Sequence, residues 1–246
     1  MTKPLDVITI GRSSVDLYGQ QIGTRLEDVA SFAKSVGGCP SNIAIGTARL
    51  GLRSAIITRV GDEQMGRFIR EQMQREGVNT KGMVTDPQRL TALAILAVEN
   101  DRSFPLLFYR ENCADMALTE DDVDPAFVAS ARALVVTGTH FSRPNTEAAQ
   151  RKAMRLMRRG GGKIVLDIDY RPNLWGLAGH AAGDNRYIAS KTVSDRMKTV
   201  LPECDLIVGT EEEVLIASGE SDLLPALKTI RSLSSATIVL KRGPMG

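Results

Sequence analysis

Tryptophan occurs once in this 246-residue chain, histidine twice and cysteine three times, and each scarcity closes a class of function. Cys39, Cys113 and Cys204 are odd in number, far apart and not at metal-ligand spacing, so neither a disulfide framework nor a zinc site is expected. No run approaches the roughly 20 apolar residues of a membrane span. Met1 to Asp6 passes straight into a short strand without the apolar stretch of a signal peptide. A cytoplasmic protein with no membrane partner is the expectation. The formal net charge of +2 gives no field that would gather nucleic acid, and no such partner is expected either. Also absent are G-x-G-x-x-G after the first strand and G-x-x-x-x-G-K-[ST] anywhere, which disfavours dinucleotide binding of the Rossmann kind and P-loop chemistry.

What is present reads as one domain over residues 1–246. Hydrophobic residues make up 43% and charged residues 24%, ordinary proportions for a globular chain. Short apolar runs at Asp6–Gly11, Ser54–Val60, Leu134–Gly138, Ile164–Asp169, Leu206–Gly209 and Thr237–Leu240 read as strands. Helix-period segments lie between most of them, including about Gln64–Glu76, ended by Gly77, and Thr146–Arg159. Strands alternating with helices at this spacing predict an α/β fold with a mostly parallel central sheet. Two segments, about 17–36 and 90–112, break the alternation. The second reads as a hairpin turning at Asn100-Asp101-Arg102. Together they form either a small β-lid that keeps water from a reaction or a hairpin that only covers a sheet edge.

The chemistry concentrates at strand ends. Asp167-Ile168-Asp169-Tyr170-Arg171-Pro172-Asn173-Leu174-Trp175 follows the apolar run Ile164–Leu166. Two carboxylates, an arginine and an asparagine thus fall where open α/β sheets bind ligands, and they suit a small polar molecule. Gly37-Gly38-Cys39-Pro40-Ser41-Asn42 would let backbone approach a ligand at a helix N-terminus, although alone it reads as a simple strand-to-helix connection. Asp16, just past the first strand, can accept hydroxyl hydrogen bonds or sit in a solvated loop. Arg110 either turns toward the sheet or pairs with Glu111. Gly160-Gly161-Gly162 precedes a strand and reads as a helix cap. The basic run Arg151, Lys152, Arg155, Arg158 and Arg159 reads as a solvated helix face.

Taken in order, Asp16, Gly37-Gly38-x-x-x-Asn42, the hairpin and Asp167–Trp175 resemble the ribokinase-like (PfkB) carbohydrate kinases. Val60-Gly61-Asp62-Glu63-x-x-Gly66 and Leu206–Glu213 add to the resemblance, which spans the chain. Tyr170–Gly176 and the polar segment through Arg186 and Tyr187 resemble most the kinases of 5-dehydro-2-deoxygluconate in myo-inositol catabolism, with 2-keto-3-deoxygluconate kinases as the nearest rival. The resemblance implies a three-layer α/β/α fold, ATP and Mg2+ as cofactors, and phosphorylation of a primary hydroxyl. It implies that Asp16, Gly37, Gly38, Asn42, Arg110, Asp169 and Arg171 hold the acceptor, that Lys241 and Gly243 approach the nucleotide, and that Glu213 organises the magnesium hydration shell. Thr210 stands where the family's Asn-x-x-Glu motif has asparagine. Two arginines in a sugar pocket favour a carboxylate-bearing substrate on physical grounds. The resemblance also implies pairing of lids in a homodimer.

No Gly-Ala-Gly-Asp occurs in the sequence; Ala182-Gly183-Asp184 lies in a polar loop. In the family that segment supplies the anion hole and the general-base aspartate, which are expected beyond Gly246. The expectation is therefore an N-terminal portion of a kinase, without a catalytic residue of its own, inactive alone and exposing apolar surface where further helices would pack. A sugar-binding regulatory protein is the alternative of another class, and a nicotinamide-dependent dehydrogenase a distant one.

Overall fold

The computed structural model describes residues 3–101, 103–179 and 187–245. Arg102, Ala182-Gly183-Asp184, Arg186 and Gly246 lie outside them. The chain runs β1 (Leu5–Ile10), β2 (Ser14–Gly19), β3 (Phe32–Gly37), α1 (Cys39–Arg49), β4 (Ser54–Gly61), α2 (Gln64–Arg75), β5 (Asn79–Asp86), β6 (Ala92–Leu96), β7 (Leu106–Tyr109), α3 (Pro125–Ala129), β8 (Ala131–Thr137), α4 (Pro144–Arg159), β9 (Lys163–Asp167), α5 (Lys191–Lys198), β10 (Leu206–Thr210), α6 (Glu211–Ser218), α7 (Leu223–Leu233) and β11 (Thr237–Lys241). Seven strands form one sheet in the order β11-β10-β9-β8-β1-β4-β5, and every neighbouring pair is parallel. The α/β class and the parallel sheet follow the sequence expectation.

Side-chain alternation along the central strands loads both faces. In β4, Ala55 and Ile57 pack in a large core with Ala149, Ala153 and Met154 of α4. Ile56, between them, packs with Ala44 of α1 and Ile69 and Met73 of α2. A sheet buried on both faces needs apolar residues at consecutive positions, which is why these runs show no polar alternation. Strand order reverses at β1: the chain first builds outward through β4 and β5, then returns to β8 on the other side. Such a switch leaves a crevice at the carboxyl ends of the strands.

Strand β5 is not legible as a strand in the sequence. Its residues, NTKGMVTD, are largely polar, and they are buried only at intervals, as suits an edge. Strand β9 ends at Asp167, two residues before the expected end, because Asp169 adopts φ +32°. The glycines at 160–162 close α4, with Gly161 at φ +67°. The basic face of α4 is neutralised by acids: Arg151 meets Glu147 and Glu203, Arg155 meets Glu120, and Arg158 meets Asp205.

The two irregular segments pair as a second sheet, β3-β2-β6-β7. Its polarity alternates. Ser14, Asp16 and Tyr18 of β2, Ala94 and Leu96 of β6, and Leu106 and Phe108 of β7 face one cavity. Val15, Leu17 and Leu93 join the core beneath α1 and α2. Among the described residues no helix is long and apolar enough to cross a membrane.

Gly66, in the first turn of α2, has no room for a side chain: a Cβ would lie 2.0 Å from the Gly61 carbonyl oxygen. The Gly61-x-x-x-x-Gly66 spacing thus records the close approach of α2 to the end of β4. Gly66→Ala is expected to cost about 1–3 kcal/mol through forced displacement of backbone, read as a lower urea midpoint with unchanged slope.

Candidate functional site

A cavity of about 620 Å³ opens at the carboxyl ends of β1, β9, β10 and β11, covered by the small sheet. It is lined by Asp16, Gly38, Asn42, Arg110, Asp169, Arg171, Glu213 and Lys241, so eight of the ten residues singled out in the sequence meet there. Gly37 and Gly243 are outside the lining. Gly243 sits in a turn at φ +57° with open space around its Cα. Gly37 serves Asp16: a Cβ at 37 would lie 1.9 Å from Asp16 Oδ1, and the two residues occupy neighbouring positions on paired strands. Gly38 is excluded from carrying a side chain for another reason. At φ +93° its Cβ would stand 2.6 Å from the Arg12 carbonyl oxygen.

Arg12 is absent from the sequence-derived set, yet it occupies the floor. Its guanidinium pairs with Asp169, and both side chains are almost wholly buried. Burial alone would lower the arginine pKa and raise that of the aspartate. Their mutual attraction wins, so Arg12 is held above its ordinary value and Asp169 below it, with Arg171 assisting. The only signal in the sequence is a charged residue just after a strand of the switch. Asp169 donates its amide to Asp167 Oδ1 at 3.2 Å and accepts at its carbonyl from the Thr139 hydroxyl. It orders the floor, and its carboxylate is already engaged.

Arg110 does not lie on the surface. Its guanidinium pairs with Asp115, which also accepts from the Ser13 amide at 3.1 Å. Arg171 is freer: it is 30% exposed, lies 3.8 Å from Asp169, and donates to its own neighbour's carbonyl, Tyr170 O, at 2.7 Å. Lys241 is nearly half exposed and 3.9 Å from Asp167. Burial raises the pKa of Asp16, against a hydrogen bond from the Ser14 hydroxyl at 3.1 Å. Burial raises that of Asp167 too, reinforced by the charge of Asp169. Cys39, at the start of α1, directs its thiol to Asp167 at 3.6 Å, and burial beside Asp169 and Asp167 holds it protonated. Asn173 is a correction to the strand-end reading: its amide donates to Gly179 O at 2.9 Å, and it does not line the cavity.

Glu213, in the first turn of α6, closes a capping box with Thr210. It accepts from the Thr210 amide at 2.8 Å, and Thr210 Oγ1 accepts from the Glu213 amide at 3.3 Å. The other carboxylate oxygen accepts from the Tyr170 amide at 3.2 Å. Among the described residues no group of three or more acids, histidines or cysteines forms a metal cage. A hydrated Mg2+ carried in by phosphates needs only one or two carboxylates, which Glu213 and Asp167 can supply.

The profile of the pfkB family carbohydrate kinases matches residues 5–246. A 5-dehydro-2-deoxygluconokinase of Geobacillus kaustophilus is 37% identical over 212 residues, which are 86% of this chain and 60% of that protein. One of Halalkalibacterium halodurans is 32% identical over 248 residues, covering 99% of this chain and 71% of the relative. The chain thus spans about 60% of the length of the first relative. The crystal structure of a PfkB protein from Polaromonas superposes with a TM-score of 0.85 at 29% identity, covering 98% of this chain and 78% of that one. A putative ribokinase II from E. coli, in complex with ATP and Mg2+, gives 0.83 at 22% identity, with coverage of 98% and 74%.

Two measurements check the floor. Asp169→Asn keeps a side chain that tolerates left-handed backbone but leaves Arg12 buried without a counter-charge. A loss of about 3–5 kcal/mol in urea unfolding is expected. His140 is wholly buried, and burial together with the charges of Arg12 and Arg110 depresses its pKa to about 3. The unfolded chain therefore binds a proton between pH 6.5 and 3 that the folded chain does not, so stability falls with acidification. The slope from this residue is about 1.4 kcal/mol per pH unit, opposed in the lower part of the window by Asp16 and Asp167, whose raised values act with the other sign. His140→Gln is expected to flatten the dependence from about pH 6.5 to about pH 5.

Proposed function

Because the chain belongs to the pfkB family of carbohydrate kinases, we propose that its cavity receives the acceptor of an ATP-dependent phosphoryl transfer. The acceptor is a sugar acid, and 5-dehydro-2-deoxygluconate fits the reading best. The observation that carries it is the mixture of charge in one cavity. The carboxylate of Asp16 and the amide of Asn42 line it together with Arg171, Arg110 and Lys241. Asp16 and Asn42 orient hydroxyls. The acid group goes to Arg171, the arginine whose charge is least committed, with Arg110 adding field from behind its pair with Asp115. The naming of the relatives as 5-dehydro-2-deoxygluconokinases supports this choice of acid.

In the transfer, the acceptor hydroxyl oxygen bonds to the γ-phosphorus, the bond to the β–γ bridging oxygen breaks, and the hydroxyl proton leaves to a base. Lys241, at the mouth of the cavity, is placed to neutralise phosphate oxygens. Mg2+, where bound, would be held through its water by Glu213 with Asp167 and would offset charge on the transferring group. The small sheet acts as the lid, presenting Ala94, Leu96, Leu106 and Phe108 as a dry roof. Beyond that roof, Leu107 and Tyr109 of β7 offer apolar surface for pairing with a second copy. The free thiols of Cys39, Cys113 and Cys204 accord with a cytoplasmic setting. The sequence contains no Gly-Ala-Gly-Asp, so the roles assigned to these residues are binding roles.

Calorimetric titration of the 246-residue chain tests the acceptor site without requiring turnover. Binding of 5-dehydro-2-deoxygluconate is expected, weakened about tenfold or more in Arg171→Ala, the loss of one charge-assisted pair, and weakened as pH falls through the raised pKa of Asp16. ADP-forming turnover by this chain is expected to be negligible. Stronger binding of 2-keto-3-deoxygluconate would keep the pocket and change the acid. Ribose as the tightest ligand would overturn the carboxylate assignment.

A further inference from the structure

A second cavity, of about 530 Å³, lies on the other side of Arg110 from the acceptor pocket and shares only that residue with it. Its walls carry four arginines, Arg59, Arg89, Arg110 and Arg143, with Asn112, Thr119 and Asn145. No aspartate or glutamate is among the lining residues. The acids stand behind the arginines. Asp122 holds Arg59 at 2.8 and 2.9 Å. Asp86 is shared, 3.2 Å from Arg59 and 3.3 Å from Arg89, and Asp115 holds Arg110. These three carboxylates fix three guanidiniums in place, and the fourth, Arg143, has no carboxylate partner among the described residues. The result is a concave surface of fixed cationic donors with one positive charge uncompensated. The acceptor and nucleotide roles use none of it except Arg110.

We propose that this cavity is a binding site for a phosphate-type oxyanion, free or as a phosphomonoester. Planar guanidiniums held by carboxylates from the rear present their remaining N–H groups forward, the arrangement that recognises phosphate oxygens with geometric selectivity. The volume exceeds what phosphate alone requires and leaves room for a small organic group. Arg110 forms the wall common to both cavities. Its partner Asp115 accepts from the Ser13 amide, one residue before the strand that carries Ser14 and Asp16. Occupancy of either cavity therefore acts on the other through one buried pair, and the coupling is reciprocal.

The test is calorimetric titration of the chain with inorganic phosphate, ionic strength being held constant with sodium chloride. A site is expected that weakens about tenfold in Arg143→Ala, the loss of one charge-assisted contact, and persists in Arg171→Ala. Arg89→Ala is a second variant expected to weaken it. Arg143 is exposed and holds no carboxylate, so its removal leaves the fold intact even if Arg89→Ala loosens the Asp86 network. A parallel titration with phenyl phosphate separates the occupants: tighter binding than inorganic phosphate, lost in Arg143→Ala, assigns the monoester, and equal or weaker binding assigns the free ion. Absence of phosphate binding, or a site lost in Arg171→Ala and retained in Arg143→Ala, overturns the proposal. Because acceptor binding is titrated separately, failure here leaves the acceptor reading standing, and failure there leaves this one.

Discussion

A guanidinium and a carboxylate that water cannot reach, those of Arg12 and Asp169, join the chain after β1 to the chain after β9 across the intervening β8. Taking two ions out of water costs several kcal/mol each, and their attraction offsets this only when the remaining hydrogen-bonding groups are also satisfied. Here the surroundings do much of that. Arg171 adds a second cation, Asp167 takes the Asp169 amide, and Thr139 caps the Asp169 carbonyl. The pair also dictates backbone. Asp169 turns the chain through φ +32°, which ends β9 and delivers Arg171 to the cavity. The Arg12 carbonyl takes a hydrogen bond from the Ser41 hydroxyl at 3.2 Å and denies Gly38 a side chain, so the N-terminus of α1 is pinned to the same floor.

From that floor the charge pattern of the cavity follows. The fixed cations underneath are neutralised by buried acids, so the groups able to respond to a ligand are those at the walls. Asp16 and Asp167 are both destabilised as anions by burial, and each gains from donors that a ligand brings. Arg171 and Lys241 reach their carboxylates only at 3.8 and 3.9 Å, longer than a good ion pair, and gain from a new acceptor. A polyhydroxy acid meets both needs at once, which is a stronger argument than either arginine alone.

How far the sequence discloses this depends on whether the signal is local. The six core strands are legible because burial on both faces forces consecutive apolar residues, as in Ile56-Ile57 and Leu134-Val135-Val136. Strand β5 is not, since an edge tolerates the polar sequence Asn79–Asp86. The lid shows in the sequence as two irregular segments. Its pairing, β2 parallel to the distant β6, is a tertiary choice that no local pattern records. Arg12 and Asp115 escape notice because each resembles an ordinary loop charge. Only when the sheet brings Asp169 and Arg110 against them do they become the buried halves of ion pairs. Of the paired glycines Gly38 lines the cavity and Gly37 does not, and both positions exclude a side chain on steric grounds. Gly37 makes room for the Asp16 carboxylate on the neighbouring strand.

Thr210 shows why a departure from a family pattern has to be read through the helix it begins. A residue at that position must accept from the Glu213 amide to start α6, a task threonine and asparagine both perform. With threonine the reciprocal half of the cap is intact, and Glu213 spends one oxygen on the Thr210 amide and the other on Tyr170. Those two amides fix the orientation of the carboxylate at the cavity wall, beside the turn that carries Asp169 and Arg171. What threonine gives up is the side-chain amide that asparagine would have offered to the same wall. The substitution therefore removes a hydrogen-bonding group from the cavity wall while leaving the acid in its place. Helix initiation, and not metal geometry, is what residue 210 has to satisfy first.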